Sequence, residues 1–227
     1  MNRRILLTAG GIGLVAVAGG LAVWQPWRQP PPPAPTPTPA PGPAPAAPSA
    51  TLDPSPRGER WIGRPDAKVT VIEFFSLTCG HCANFARSVL PGVKEKLIDT
   101  GKLRLVFYDY PLDQLALMAA MIARHMPPER YEPFVHALFS TQDRWAFNRG
   151  ANPTEELWKM AALAGMSRQS FDTALADTAL RDWILERARS AQEKWRIDAT
   201  PSFVVNGEKY PAGMTLESLE RIVSGQG

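Results

Sequence analysis

The sequence predicts an α/β protein in which an all-helical block interrupts a strand-rich frame. Three observations predict it. An apolar run at 69–75 is followed by a helical stretch and a second apolar run at 102–108. From about 112 to 195, apolar residues recur at helical spacing. Leu115, Met118 and Ile122 make one stripe there, and Leu180, Ile184, Ala188, Ala191 and Trp195 a longer one. The chain then returns to a strand beginning at Ser202 and ending in Asn206-Gly207, the dipeptide that most strongly marks a tight hairpin.

In chain order, residues 1–24 open with Arg3-Arg4 and continue without charge from Ile5 to Trp24. That run is just long enough to span a bilayer, and the two arginines orient the rest of the chain away from the cytoplasm. It reads either as a retained anchor or as a signal peptide, with Ala16-Val17-Ala18 as a small-residue cleavage site. Arg3-Arg4 also half matches a twin-arginine export signal. Residues 25–60 form a linker. Within it, 26–56 hold 14 of the 23 prolines and no charge between Arg28 and Asp53, so this tract cannot build a core. A polyproline spacer of that length reaches up to roughly 90 Å at about 3.1 Å per residue. The foldable part is 61–227, enough for one domain with a sizeable core.

In the strand 69–75, the two-residue period puts Val69, Val71, Glu73 and Phe75 on one face, so Glu73 is expected among apolar neighbours. The first helix is expected over 79–97, with Pro91-Gly92 kinking or breaking it. Pro111 closes the second strand. Asn152-Pro153-Thr154-Glu155 has the form of a capping box with proline at the first helical position, and that helix should end at Gly165. Ser167 caps the next helix, around 168–177. The methionines Met118, Met121 and Met126 fall on core stripes. A short strand is expected at 208–210, and Thr215 caps a last helix over 216–224.

The chemistry concentrates in Cys79-Gly80-His81-Cys82, which holds the only two cysteines. Two thiols spaced this way at a helix N-terminus close a disulfide with little backbone movement, and the helix end stabilises a thiolate. That is equipment for thiol–disulfide exchange. Two plainer readings compete. A zinc site would need about four nitrogen or sulfur ligands, and His81, His125 and His136 are poorly spaced to complete one. A purely structural disulfide closing so short a loop would remove little chain entropy. The net charge of +3, with no dense basic run, does not argue for nucleic acid.

The segment from Phe74 to Phe85, with its Cys-Gly-His-Cys, resembles the active-site segment of the DsbA family of bacterial envelope thiol–disulfide oxidoreductases. Asp109-Tyr110-Pro111-Leu112 resembles the turn after that family's second strand. The run from Ala199 through Thr200-Pro201 to Asn206-Gly207 resembles its cis-proline loop and hairpin. The resemblance covers roughly 61–227 and implies a thioredoxin-like fold with a helical insertion at about 112–195. It implies Cys79 as the exposed nucleophile and Cys82 as the buried resolving thiol. Pro201 would be cis against the disulfide, and Thr200 would offer its backbone to a substrate chain. Glu73 takes the place of the buried acid that serves Cys82, or is a structurally paired carboxylate. The dipeptide Gly80-His81 departs from the family's common Pro-His; His81 is expected to donate to the Cys79 thiolate and lower its pKa.

The resemblance further implies an exported, periplasmic or other envelope protein, monomeric, tethered if residues 5–24 remain. It would need no metal or organic cofactor. Cysteine-containing exported proteins would be its substrates, and a membrane redox partner would reset the disulfide. A stabilised thiolate makes the disulfide oxidising, so the potential should fall in the upper half of the span from about −270 to about −120 mV. The alternatives are a reductase or isomerase fed by a membrane partner, and a non-catalytic binding or chaperone module built on the same fold.

Overall fold

The computed structural model describes residues 52–210 and 213–225. The N-terminal apolar segment and all but the end of the proline tract lie outside the described residues. Five strands form one mixed sheet: β1 (Arg60–Ile62), β2 (Val69–Phe75), β3 (Leu103–Asp109), β4 (Ser202–Val205) and β5 (Glu208–Tyr210), in the order β1-β3-β2-β4-β5. β2 and β3 are parallel, whereas the β1–β3, β2–β4 and β4–β5 pairs are antiparallel. β2 is therefore central, flanked by a strand on each side, and its alternate residues feed the cores on the two faces.

The larger core lies on the face of Val69, Val71 and Phe75, as the two-residue period predicts, under the helices. The smaller one gathers Phe74, Tyr108, Ala191, Ile197 and Val204, with Trp195 packed against it. The hairpin conforms to its signal: Asn206 and Gly207 both take positive φ, at 48° and 99°. Asn206 also ties β4 to β2, accepting from the Thr70 N–H through its side chain at 2.9 Å.

After β2 the chain is helical from 80 to 98 but not uniformly α. It runs α1 (Gly80–Asn84), a π turn (Phe85–Val89), α2 (Leu90–Val93) and a second π turn (Lys94–Ile98). The expected break at Pro91-Gly92 is thus a register change. Proline lacks an N–H and its ring collides with the carbonyl four residues back, here Arg87. A π turn just before it, closed by the Leu90 N–H on the Phe85 carbonyl, lets the helix pass the proline.

The helical block comprises α3 (Gln114–Arg124), α4 (Pro128–Ser140), α5 (Gln142–Trp145), α6 (Pro153–Leu163), α7 (Arg168–Ala176) and α8 (Thr178–Trp195), and α9 (Leu216–Val223) closes the chain. The predicted N-caps form, but the box expected at Asn152-Glu155 closes only from the Asn152 side, while Thr215 makes a complete box with Ser218. Asn152, Ser167 and Thr215 each accept N–H bonds from the first turn, and Gly165 has φ 85° just past α6. The α3 stripe differs. Leu115 and Met118 are only half-buried, while Ala116, Leu117 and Ala119–Arg124 are buried, because α3 is packed on more than one side. Met121 and Met126 lie in the core.

Two features were not expected from the sequence. β1 is a three-residue strand with no local signal. Residues 53–58, assigned to the linker, clasp two buried arginines. Arg60 donates to the carbonyls of Asp53, Ser55 and Gly58, and Arg124 to those of Pro56 and Gly58. Arg124 also pairs with Asp109, which accepts from the Tyr131 hydroxyl at 3.3 Å.

Candidate active site

The site forms where β2 ends and α1 begins. Cys79 is the N-cap of α1, in extended conformation, and its Sγ accepts from the Cys82 N–H at 3.4 Å. Capping places the sulfur at the positive end of the helix, among unpaired N–H groups. Both cysteines are free thiols. Cys79 is 8% exposed and Cys82 fully buried, so only one sulfur can meet a partner chain.

The loop that carries Cys79 is braced from three directions. Across the sheet, the Thr200 carbonyl accepts from the Cys79 thiol at 3.2 Å, and the Thr200–Pro201 bond is cis. From the turn after β3, Asp113 accepts from the Thr78 hydroxyl at 2.6 Å, and the Leu112 N–H donates to Ser76. From the helical block, the buried amide of Gln142 donates to the carbonyls of Leu77 and Cys79 at 2.7 and 3.1 Å. Gln142 carries no motif in the sequence. Its contribution comes from 63 and 65 residues away.

The two thiols are driven apart. Cys79 is pulled down to about 5, chiefly by hydrogen bonding from the Cys82 thiol. The Thr200 side chain and the backbone N–H groups of Cys82 and His81 add to this, against the opposing effect of burial. The Thr200 hydroxyl has no partner of its own, so its O–H is available to the thiolate. Burial pushes Cys82 far up, reinforced by Cys79 and by the charge of Glu73. Glu73 is 2% exposed, with its Oε1 unpaired. Burial foremost, then the Cys79 charge, lifts it to about 8. Burial therefore favours its neutral form, and no ion pair to it is present among the described residues.

Of the residues expected at the site, Cys79, Cys82, Thr200, Pro201 and Glu73 converge here. His81 differs from expectation. Its ring is exposed and makes no hydrogen bond to Cys79 among the described residues; its contribution runs through its backbone N–H. The cause is helical geometry, since the side chain of the second helical residue points outward while its N–H faces the cap. Gly80 is exposed, and a Cβ there would meet nothing within 4 Å. Among the described residues no cluster of three or more histidine, cysteine or acidic side chains could hold a metal.

A family model described as thioredoxin matches residues 55–224. A putative protein-disulfide oxidoreductase of Rickettsia bellii is 28% identical over 147 residues, which cover 64% of this chain and 56% of the relative. This chain thus spans little more than half the length of that relative. Disulfide bond formation protein D of Bacillus subtilis is 26% identical, over 67% of this chain and 70% of its own. Among solved structures, alpha-DsbA1 of Wolbachia pipientis superposes with a TM-score of 0.68 at 32% identity, covering 74% of this chain and 90% of that one.

Proposed function

The chain belongs to the thioredoxin family and, within it, to the DsbA proteins, and on that premise we propose that it oxidises the thiols of substrate proteins through a Cys79–Cys82 disulfide. The observation that carries this reading is the asymmetry of the two thiols: Cys79 caps the helix, slightly exposed and favoured as a thiolate, and Cys82, three residues on, is fully buried and favoured as a neutral thiol.

The steps come from that asymmetry. A substrate thiolate attacks Cys79 Sγ. The Cys79–Cys82 bond breaks, and its electron pair leaves on Cys82, which takes a proton. Glu73, a neutral acid at this pH, supplies that proton. The substrate's second thiolate then attacks its own sulfur in the mixed disulfide and expels Cys79 as a stabilised thiolate. Two electrons pass from substrate to enzyme, and the substrate leaves with a disulfide. Thr200 presents its backbone beside the reacting sulfur, and Leu112, 53% exposed, offers an apolar contact next to the braced loop.

Lowering Cys79 from 9.0 to about 5 stabilises the reduced form. At neutral pH this is on the order of 3 kcal/mol, some tens of millivolts in the oxidising direction. The reading extends to location: residues 1–24 direct export or anchor the chain, the proline tract gives reach, and a membrane partner re-oxidises the pair. Among the described residues no helix is long and apolar enough to cross a membrane.

The test is the equilibrium potential in glutathione buffers. A value well above about −200 mV assigns the oxidant role, and one near −250 mV or below assigns a reductase. Cys79→Ser should abolish turnover, and Cys82→Ser should accumulate mixed disulfides. Full activity in both variants would defeat the assignment.

A further inference from the structure

β2 runs into the cysteine-bearing turn, and the Thr200–Pro201 loop runs into β4, its antiparallel neighbour. The ladder between the two strands stops short of the site, at Phe74 and Ser202. Past that pair the segments are held together by side chains. The loop leaves α8 at Arg196, which turns the chain with φ 53°. Four of its carbonyls accept from side chains. Lys209 holds that of Arg196 at 2.6 Å and Ser202 that of Ala199 at 2.7 Å, and both tie the loop to its own hairpin. The Cys79 thiol holds that of Thr200, a bond lost whenever Cys79 gives up its proton. The fourth, the Ile197 carbonyl, accepts from the Tyr110 hydroxyl at 2.8 Å.

Tyr110 begins the turn after β3, and this turn reaches both walls of the site. The Tyr110 N–H donates to the Phe75 carbonyl at 2.8 Å. Its ring packs against the smaller core, which includes Phe74, Ile197 and Val204, so the hydroxyl has a fixed place. Further along the same turn, Leu112 and Asp113 bond Ser76 and Thr78 on the cysteine side. Burial, then the charge of Asp198, raises the pKa of the phenol, which therefore stays a donor over the range where Cys79 ionises.

We propose that Tyr110 is a positioning residue for thiol exchange: through Ile197 it fixes the gap between Cys79 and the Thr200 backbone, into which the extended chain around a substrate cysteine fits. This deepens the oxidoreductase reading and rests on it. A peptide substrate needs both the sulfur and the gap, whereas a small dithiol needs the sulfur alone. Tyr110 thus favours thiols carried on a polypeptide. Tyr108, two residues earlier and in the same core, donates to the Arg187 carbonyl of α8 at 2.8 Å, and so holds a helix and not the loop.

The experiment compares Tyr110→Phe with Tyr108→Phe in the full-length protein. Each removes one hydroxyl and one hydrogen bond of equal length. The oxidised proteins are reduced by a synthetic peptide with two cysteines and, separately, by dithiothreitol. Both reductants give two electrons and end as disulfides. The ratio of the two rates cancels any change in the Cys79–Cys82 bond itself. In Tyr110→Phe the ratio should fall about two- to tenfold, the worth of one hydrogen bond. In Tyr108→Phe it should keep the wild-type value. In the dithiol form, the thiolate absorbance of Cys79 should titrate at higher pH in Tyr110→Phe alone, because Thr200 recedes from the sulfur. A change in either readout confined to Tyr110→Phe supports the assignment. If this variant matches the wild type or Tyr108→Phe in both, the assignment is overturned. The titration needs no turnover. A protein that oxidises the peptide, with an unchanged ratio and titration in Tyr110→Phe, keeps its activity and loses the role of Tyr110. One whose disulfide is reducing or inert, yet whose titration moves in Tyr110→Phe alone, loses the oxidant reading and keeps the positioning.

Discussion

Two buried polar clusters lie within this domain, and they are built on opposite rules. At Arg124 and Arg60 the polar groups are largely partnered: Asp109 pairs with the Arg124 guanidinium, Tyr131 donates to Asp109, and main-chain carbonyls of 53–58 take up donors of Arg60 and Arg124, with the Arg60 Nε left bare. At Glu73 nothing is matched: an acid with a bare Oε1 lies near a buried thiol whose ionisation burial opposes. A buried charge with all its partners is fixed in one protonation state. A buried acid without partners is kept neutral by its surroundings and can give its proton up. The first arrangement holds architecture together; the second leaves a proton free to move.

Mutations should separate the two. The largest effect is expected at Asp109→Ala, which leaves buried guanidinium charge uncompensated and should cost on the order of 3–5 kcal/mol in urea unfolding. Replacing Asp109 and Arg124 together by apolar residues of similar size should cost far less. If the double variant were as damaged as the single one, the matched-charge description would fail.

At Glu73 the sign reverses. A folded pKa of about 8 against an ordinary 4.5 means stability is full below 4.5 and is lost as pH rises towards 8. Glu73→Gln should therefore stabilise the protein at pH 7 by up to about 3 kcal/mol, less what the new amide's unmet donors cost. Cys79 acts in the other direction. Its pKa falls from 9.0 to about 5, so its contribution is present above 9 and lost as pH falls through 5. Between about 5 and 8 the two slopes cancel in the dithiol form. Glu73→Gln should uncover a rise of about 1.4 kcal/mol per pH unit, and Cys79→Ser a fall with rising pH, both read from chemical denaturation across a pH series. A steep slope in the wild-type dithiol would contradict the pairing of these effects.

Smaller effects are expected at the loop. Gln142→Leu strands the carbonyls of Leu77 and Cys79 and should cost about 1–3 kcal/mol, with a measurable shift in the Cys79 titration. Gly80→Pro should be tolerated. The site is open, the position is the first of a helix, and Cys79 is extended as a residue before proline must be. A gain of about 0.4–1 kcal/mol in thermal or urea unfolding is expected.

The features legible in the sequence are local. Cys79 and Cys82 announce themselves by spacing, Asn206-Gly207 by its φ requirement, and Glu73 by its place in a two-residue period. The caps at Asn152, Ser167 and Thr215 need only the next turn. The features hidden in the sequence depend on distant partners. β1 is three residues whose pairing with β3 lies more than 40 positions away. Gln142 reads as one more polar residue until the fold brings it to Leu77. The His81 ring departs from expectation because proximity in sequence to Cys79 says nothing about which side of the helix it takes.

The clasp around Arg60 and Arg124 also sets where the domain can be cut. A protease acting after Arg57 would remove the carbonyls of Asp53, Ser55 and Pro56 and strand three guanidinium bonds in a buried site. A cut ahead of Asp53 would spare all of them. A cut that leaves the folded domain intact must therefore fall ahead of Asp53, and the residues just before the first strand act as a lock on it.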